Sequence, residues 1–346
     1  MIASIHFRHF KALRATSLHL TAFNLVIGPN GSGKSSLIQA IQRLRFLSQQ
    51  PLDTELQPSL SPELQHPELV FRFPPPNEGI EVKLSCRAGM VCDHLHVSAI
   101  SSDNWEVLKQ SLVTSRVYMF DHYAMAAPCT GAVEEGLAAN GGNLAAVYHV
   151  IKRFDPGAFA DLQAEVVRLL PEFSGLDVRE NSEGLLELGL ILREDREFIP
   201  AEGLSQGVLY MLGYVALAFD PRPPSVVCIE DLDRGIHPRK LRELCDLLYR
   251  LSYPEQYGLH RPPTQVIATT HSPYLLDQFR DHPEEVVIAE KQGRAATFSR
   301  LVDRPDLKEL LQEGSLGDMW YSGILGGVPE ESDPAAEAVT KNPLQP

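Results

Sequence analysis

Residues Gly28 to Ser36 read Gly-Pro-Asn-Gly-Ser-Gly-Lys-Ser-Ser, and no other stretch constrains the fold of this chain as strongly. A strand-like run, Phe23 to Ile27, leads in, and a helix-like run with an apolar face (Leu37, Ile38, Ile41, Leu44) leads out. Gly28, Gly31 and Gly33 allow the backbone to curl so that successive N–H groups converge on one anion. In that arrangement Lys34 reaches the β- and γ-phosphates of a nucleotide, and the Ser35 hydroxyl joins the shell of a Mg²⁺ ion. The first turn of the following helix adds unpaired N–H groups and the positive end of its dipole. Gly28, Pro29, Asn30, Gly31, Ser32, Gly33, Lys34, Ser35 and Ser36 are therefore the candidate ATP-binding residues, with Lys34 also a candidate catalytic one. The strand, loop and helix in this order place the chain in the α/β class.

A chain of 346 residues suits one large α/β domain or two lobes, and it buries enough apolar surface to need no covalent staples. Its five cysteines, Cys86, Cys92, Cys129, Cys228 and Cys245, form no even, closely spaced framework. Cys228 falls in an apolar strand and Cys245 on a helical pattern, which predicts buried thiols and a reducing, cytoplasmic setting. The N-terminus lacks the layout of a secretory signal, and no apolar run reaches membrane-spanning length. With 31 basic against 45 acidic residues the net charge is −14, so broad coating of nucleic acid is disfavoured and DNA contact requires a local patch or a partner.

The periodicities predict a nucleotide-binding lobe from residues 1–139 and 220–327, carrying a β-rich insertion over about 51–120. Residues 1–27 alternate as two strands leading into the loop, and Glu81 to Cys86, His94 to Ile100 and Arg116 to Phe120 read as further strands. A smaller helical lobe over 140–219 holds helical periods (Leu144, Val147, Val150, Ile151; Phe159, Leu162, Val166, Leu169), a hairpin-like pair and a helix over 204–219. Ser225 to Ile229, Gln265 to Thr269 and Val286 to Ala289 are continuous apolar strands of the buried parallel type. The proline-punctuated connection from Pro51 to Pro76 is expected to be exposed, and the acidic tail, 328–346, disordered. No heptad run supports a long coiled-coil arm.

Three further pieces belong to nucleotide chemistry. Val226-Val-Cys-Ile-Glu230-Asp231 is an apolar strand ending in two carboxylates; Glu230 is placed to hold the metal and Asp231 to orient or deprotonate a water. His271 follows another buried strand, where an imidazole hydrogen-bonds the γ-phosphate or the attacking water. Ser205, Gln206 and Gly207 open a helix, which is either a simple cap or a second anion-binding surface. One chain already has a full phosphate cradle, so the second surface points to a nucleotide held by another subunit.

In this order the motifs resemble those of the ABC-type ATPase heads of the SMC/RecF class. In particular the chain resembles their compact stand-alone relatives, AAA-type ATPases akin to the ATPase half of the overcoming-lysogenisation-defect proteins. The likeness runs from Ile5-His-Phe-Arg-His-Phe-Lys11 through the loop to Asn140-Gly-Gly-Asn143 and Leu204-Ser-Gln-Gly207. It continues through Ile229-Glu-Asp-Leu-Asp-Arg-Gly-Ile-His-Pro238, Thr270-His-Ser-Pro273 and Ser315 to Gly327. The resemblance implies a mixed-sheet lobe plus a smaller helical lobe, and two heads that dimerise head to tail around two ATP molecules with Mg²⁺. Ser205, Gln206 and Gly207 would act in trans on the partner's nucleotide, with Asp233 and His237 in the segment crossing the interface. It further implies a switch ATPase linked to DNA or to a separately encoded effector such as a nuclease, in genome maintenance or anti-phage defence. The chain departs from the family in Asp231, where a glutamate is usual; the shorter side chain predicts slower turnover. The glutamine that joins the lobes in that family has no counterpart, since Gln39 and Gln42 lie on the loop helix.

Smaller signals carry less. Cys86, Cys92, His94 and His96 are ligand types, but their spacing inside strand-like sequence does not suit zinc. Asp121-His122 reads as a polar loop. Glu290 ends an apolar strand without acidic companions, and about 75 residues follow His271, too few for a nuclease domain of ordinary size. Trp320, Tyr321, Ile324 and Leu325 form an apolar cluster, either core or a docking surface. Two other functions stay open: an ATP-bound scaffold that hardly hydrolyses, and the motor of a membrane importer, which the C-terminal resemblance disfavours.

Overall fold

The structure, a computed structural model, describes residues 1–50, 66–86, 92–98, 102–132 and 136–327. The chain opens with β1 (Ser4–Phe10), β2 (Leu13–His19) and β3 (Phe23–Ile27), followed by the loop and α1 (Lys34–Ser48). The expected pair of strands over 1–27 is thus three, because the chain reverses tightly between Phe10 and Leu13, with His9 and Lys11 at positive φ. Next come β4 (Glu68–Arg72), β5 (Glu81–Cys86), β6 (Cys92–Ser98), α2 (Ser102–Val113), β7 (Arg116–Tyr118) and α3 (His122–Ala126). Helix α2 replaces part of the expected β-rich insertion: Trp105, Leu108 and Leu112 recur at helical spacing and are all buried.

The middle of the chain forms α4 (Leu144–Phe154), α5 (Pro156–Leu169), β8 (Phe173–Glu180), β9 (Leu186–Leu192), β10 (Phe198–Pro200) and α6 (Gln206–Ala218). The last part forms β11 (Val226–Ile229), α7 (Leu241–Ser252), β12 (Gln265–Thr270) and α8 (Pro273–Leu276). It closes with β13 (Val286–Gln292), β14 (Ala295–Arg300), α9 (Leu307–Glu313) and α10 (Leu316–Tyr321). Strand β13 is longer than its apolar run because it pairs antiparallel with β14, which the sequence reading did not anticipate.

Three sheets result. A six-stranded sheet, ordered β14-β13-β3-β12-β11-β7, is parallel except for β14. An antiparallel five-stranded sheet, β2-β1-β4-β5-β6, lies to one side, and β10-β9-β8 forms a small third sheet among the helices. Alternation along the central strands divides the interior. Phe23, Leu25 and Ile27 of β3 face a core built with α4, α5, α6 and α7, whereas Val26 faces the core of α1 and the five-stranded sheet. Strand β11 divides in the same way, Val227 and Ile229 against Val226 and Cys228. A strand buried on both faces is apolar at nearly every position, which explains the long apolar runs in the sequence; the buried Asn24 of β3 is satisfied by hydrogen bonds to the carbonyls of Thr21 and Val266.

The cysteine reading needs one correction. Cys86 and Cys92 form a disulfide, because β5 and β6 are hydrogen-bonded neighbours that bring the two residues opposite one another, Cα to Cα 3.8 Å. Cys228 and Cys245 are buried thiols, and Cys129 is a half-buried one. The disulfide removes both thiolates as metal ligands, and no group of three or more metal-binding side chains occurs among the described residues. Trp320 and Leu325 pack inward, whereas Tyr321 and Ile324 are exposed. Residues 51–65, most of the proline-rich connection, Ile100 and the acidic tail 328–346 lie outside the described residues. No helix among the described residues is long and apolar enough to cross a membrane.

Leu25 is fully buried between the central sheet and the helices. Leu25→Ala is expected to lower unfolding stability by about 2–5 kcal/mol, read as a lower urea midpoint with an unchanged slope.

Candidate nucleotide-binding site

Strand β12 lies between β3 and β11 and is parallel to both, so the three C-terminal ends meet at one edge of the sheet. The registers are tight there: Thr270 pairs with Ile27, and Ala268 with Ile229. Beyond those ends come the glycine-rich loop, Glu230-Asp231 and His271. Asn30, Gly31, Gly33, Lys34, Ser35, Ser36, Glu230, Asp231, Thr269 and His271, with Lys11 and Ala12 from the β1–β2 turn, line one cavity of about 360 Å³. Crevices outside the carboxyl ends of parallel strands are the usual ligand sites of such sheets.

The loop's shape follows from its glycines. Gly31 and Gly33 have φ of +77° and +92°, a region that L side chains rarely adopt. Gly28 is crowded: a β-carbon there would lie 2.5 Å from Ser32 Oγ and 2.8 Å from Ala289 Cβ. Helix α1 starts after Gly33 with no side-chain cap and no acidic residue in its first turn. Its first N–H groups are therefore left for an external acceptor. Ser32 Oγ is buried without a hydrogen-bond partner. Lys34, itself buried, donates to the carbonyls of Gly28 at 2.8 Å and Pro29 at 2.9 Å.

Burial pushes the Lys34 ammonium down to about 8, and the carboxylates of Asp231 and Glu230 partly oppose that shift. His271 is also held below the usual imidazole range, by burial and by the Lys34 charge, against the pull of Asp231 and Asp233. Its ring is then neutral near pH 7 and can accept a hydrogen bond.

Asp231 sits at φ +50°, a left-handed conformation that aspartate tolerates better than most residues. Three bonds hold it there. Its N–H donates to Thr269 Oγ1 at 3.0 Å, Arg234 N donates to its carbonyl at 2.8 Å, and Leu232 N donates to Thr269 O at 2.9 Å. Thr270 Oγ1 donates to Asp233 Oδ1 at 2.5 Å, tying the following loop to β12. Sequence reading passed over Thr269, although it stands two residues before His271 and so on the same side of an extended strand. Lys11, noted only within the opening motif, also lines the cavity and donates to Gln39. Gln42 stands with Gln39 in a separate groove beside Phe46, away from the carboxylates. Asp121 and His122, expected in a polar loop, instead open α3: Asp121 caps the helix, accepting from Tyr123 N at 2.9 Å, and His122 is its first residue. Glu290 points away from the cavity, toward Gly326.

Ser205, Gln206 and Gly207 do not line the cavity. Ser205 is exposed and caps α6, its Oγ accepting from Val208 N at 3.4 Å. Gly207 abuts the loop after β11, where a β-carbon would come within 2.7 Å of Gly235 O. His237, in that same loop, is exposed and accepts from Arg239 N through Nδ1 at 3.2 Å. A larger cavity of about 670 Å³ between α7 and residues 277–285 is lined by Asp246, Asp277, Asp281, Glu284 and Glu285, which outweigh Arg242 and His282 on the same walls. Such a lining repels phosphate, so the smaller cavity is the nucleotide candidate.

The sequence profile of the family described as "AAA domain, putative AbiEii toxin, Type IV TA system" matches residues 23–84 and 108–277, well over half of the chain. The chain belongs to this AAA family. No curated protein matches it by sequence. Among solved structures it is similar to an SMC head bound to the C-winged helix domain of ScpA, with a TM-score of 0.57 and 14% identity over 86% of this chain and 96% of that one. It is also similar to the SMC head domain of Thermotoga maritima, with a TM-score of 0.50 and 14% identity over 86% of this chain and 98% of that one. The fold of this AAA-family chain is thus that of an SMC-type ATPase head, without a long coiled-coil arm among the described residues.

Two outcomes follow from the geometry. A triphosphate in this cavity would pair with the charged form of Lys34, so its binding would take up a proton once the free lysine has lost it. Nucleotide affinity is therefore expected to hold up to pH 8 and then to fall by up to about tenfold per pH unit, with proton uptake measurable by calorimetry in buffers of different ionisation heat. Gly28→Ala is expected to abolish nucleotide binding, measured by fluorescence titration, because the added methyl cannot fit between Ser32 and Ala289.

Proposed function

We propose that this protein binds and hydrolyses ATP as a dimerising switch, and that closure around the nucleotide controls a partner effector or a DNA-linked process. The observation that carries the reading is the convergence of loop, Glu230, Asp231, Thr269 and His271 on one cavity, while exposed Ser205 and half-buried Gln206 and Gly207 stand outside it. The loop N–H groups and Lys34 bind the triphosphate, with Lys34 leaving the carbonyls of Gly28 and Pro29 to do so. Ser35 and Glu230, two oxygen donors on the same cavity wall, suit Mg²⁺, which when bound offsets charge on the phosphate oxygens. Asp231 orients the attacking water and accepts its proton, and neutral His271 accepts a hydrogen bond from that water or from a protonated phosphate. Ser205, Gln206 and Gly207 of a second copy complete the site from outside, through the hydroxyl and the free N–H groups of α6. Asp233 and His237 lie in the adjoining loop, suited to pass the closure between subunits. The structurally similar SMC head is bound to the C-winged helix domain of ScpA, which supports a separately encoded partner here.

One observation favours a second reading. The left-handed backbone at Asp231 favours the short aspartate, whose carboxylate reaches less far than a glutamate's; on this reading the protein holds ATP chiefly as a scaffold signal. Phosphate release separates the two. The switch reading expects Lys34→Ala and Asp231→Asn each to cut turnover at least about a hundredfold, with only Asp231→Asn retaining ATP binding. It also expects Ser205→Arg to abolish turnover and the ATP-dependent doubling of mass in light scattering. Wild-type release no faster than that of Lys34→Ala would leave the scaffold reading; a monomer at every nucleotide condition would remove dimerisation.

A further inference from the structure

Strand β13 pairs with β3 only as far as Ile288, opposite Ile27, yet it continues to Gln292. Its last residues therefore run beside the glycine-rich loop, where β3 has already ended. Ala289 packs against Gly28, and two residues on, along the same face, Lys291 lies against Gly31. Both Cδ and Nζ of Lys291 come within 3.7 Å of the position a β-carbon on Gly31 would occupy. The neighbouring Glu290 faces the opposite way, toward Gly326. Lys291 is exposed, and its ammonium makes no hydrogen bond or ion pair among the described residues.

The charge around the cavity gives this lysine its significance. Lys11 and Lys34 line the cavity, but so do Glu230 and Asp231, and His271 is neutral near pH 7. The lining thus carries no net positive charge, in a chain whose total is −14. A triphosphate, still anionic after it has taken up a divalent cation, gains little net attraction from such walls. An uncompensated ammonium at the loop's outer turn changes that balance, because like and unlike charges at this range interact by an amount that matters for affinity.

We propose that Lys291 is a third ammonium of the nucleotide site, beside Lys11 and Lys34, held on the outer wall of the loop by the overshoot of β13, where it favours nucleoside triphosphate over diphosphate by attracting the terminal phosphate. This inference rests on the nucleotide-binding reading of the loop. It is tested by equilibrium titration of full-length wild type, Lys291→Gln, Lys291→Glu, Lys291→Arg and Lys34→Ala with the magnesium complexes of ATP and ADP, at low and high salt. The expected result is an ATP dissociation constant raised about 3- to 10-fold in Lys291→Gln and further in Lys291→Glu, with ADP changed less than about 2-fold. The effect should shrink at high salt and be reversed in Lys291→Arg, with melting temperatures unchanged. Equal losses for ATP and ADP, or no loss in either variant, would overturn the role of Lys291. In that case abolished binding in Lys34→Ala would leave the nucleotide reading intact, whereas normal binding in Lys34→Ala would remove both.

Discussion

The parallel pairing of β12 with β3 on one side and β11 on the other is the constraint on which the site depends. It brings the end of the glycine-rich strand, the end of the acidic strand and the end of the histidine strand to a common edge. None of those groups is close to another along the chain. Each strand is buried on both faces, so its register is set by two apolar cores at once. A shift by one residue would turn every side chain to the opposite face. The chemistry at the edge therefore inherits the precision of the core beneath it.

The electrostatics at that edge are close to balanced in the absence of ligand. Lys34 is drawn onto the loop's own carbonyls and loses proton affinity through burial, with two carboxylates opposing the loss. The hydroxyl of Ser32 is buried without a partner, and the first turn of α1 has no cap. Unsatisfied donors in a rigid, partly buried frame are costly alone and favourable once an anion accepts from them. The same logic applies to Asp231, whose left-handed backbone is kept by Thr269 and Arg234 rather than by its own preference.

Much of this was legible in the sequence because it is written locally. The loop, the helix after it, the acidic strand and the histidine strand each declare themselves within about ten residues, by glycine spacing or by an unbroken apolar run. What stayed hidden depends on pairing across long separations. Strand β14 is recognisable only once β13 is seen to have an exposed edge, and Lys291 acquires a role only when β13 is found to outrun β3. The disulfide needed the β5–β6 register. Helix α2 is a different case: Trp105, Leu108 and Leu112 carried the helical period, but strand-like neighbours on both sides obscured it. The role expected for Ser205 from its sequence motif is of another kind, since a single copy of the chain does not bring Ser205 to its own cavity.

The most direct test of the account is a structure of the protein crystallised with Mg²⁺ and a slowly cleaved ATP analogue. The account predicts a triphosphate within hydrogen-bonding distance of the loop N–H groups, Mg²⁺ between Ser35 and Glu230, and Ser205 of a second copy facing the terminal phosphate. A nucleotide bound in any other cavity, or one whose terminal phosphate meets only solvent in a fully occupied site, would contradict it.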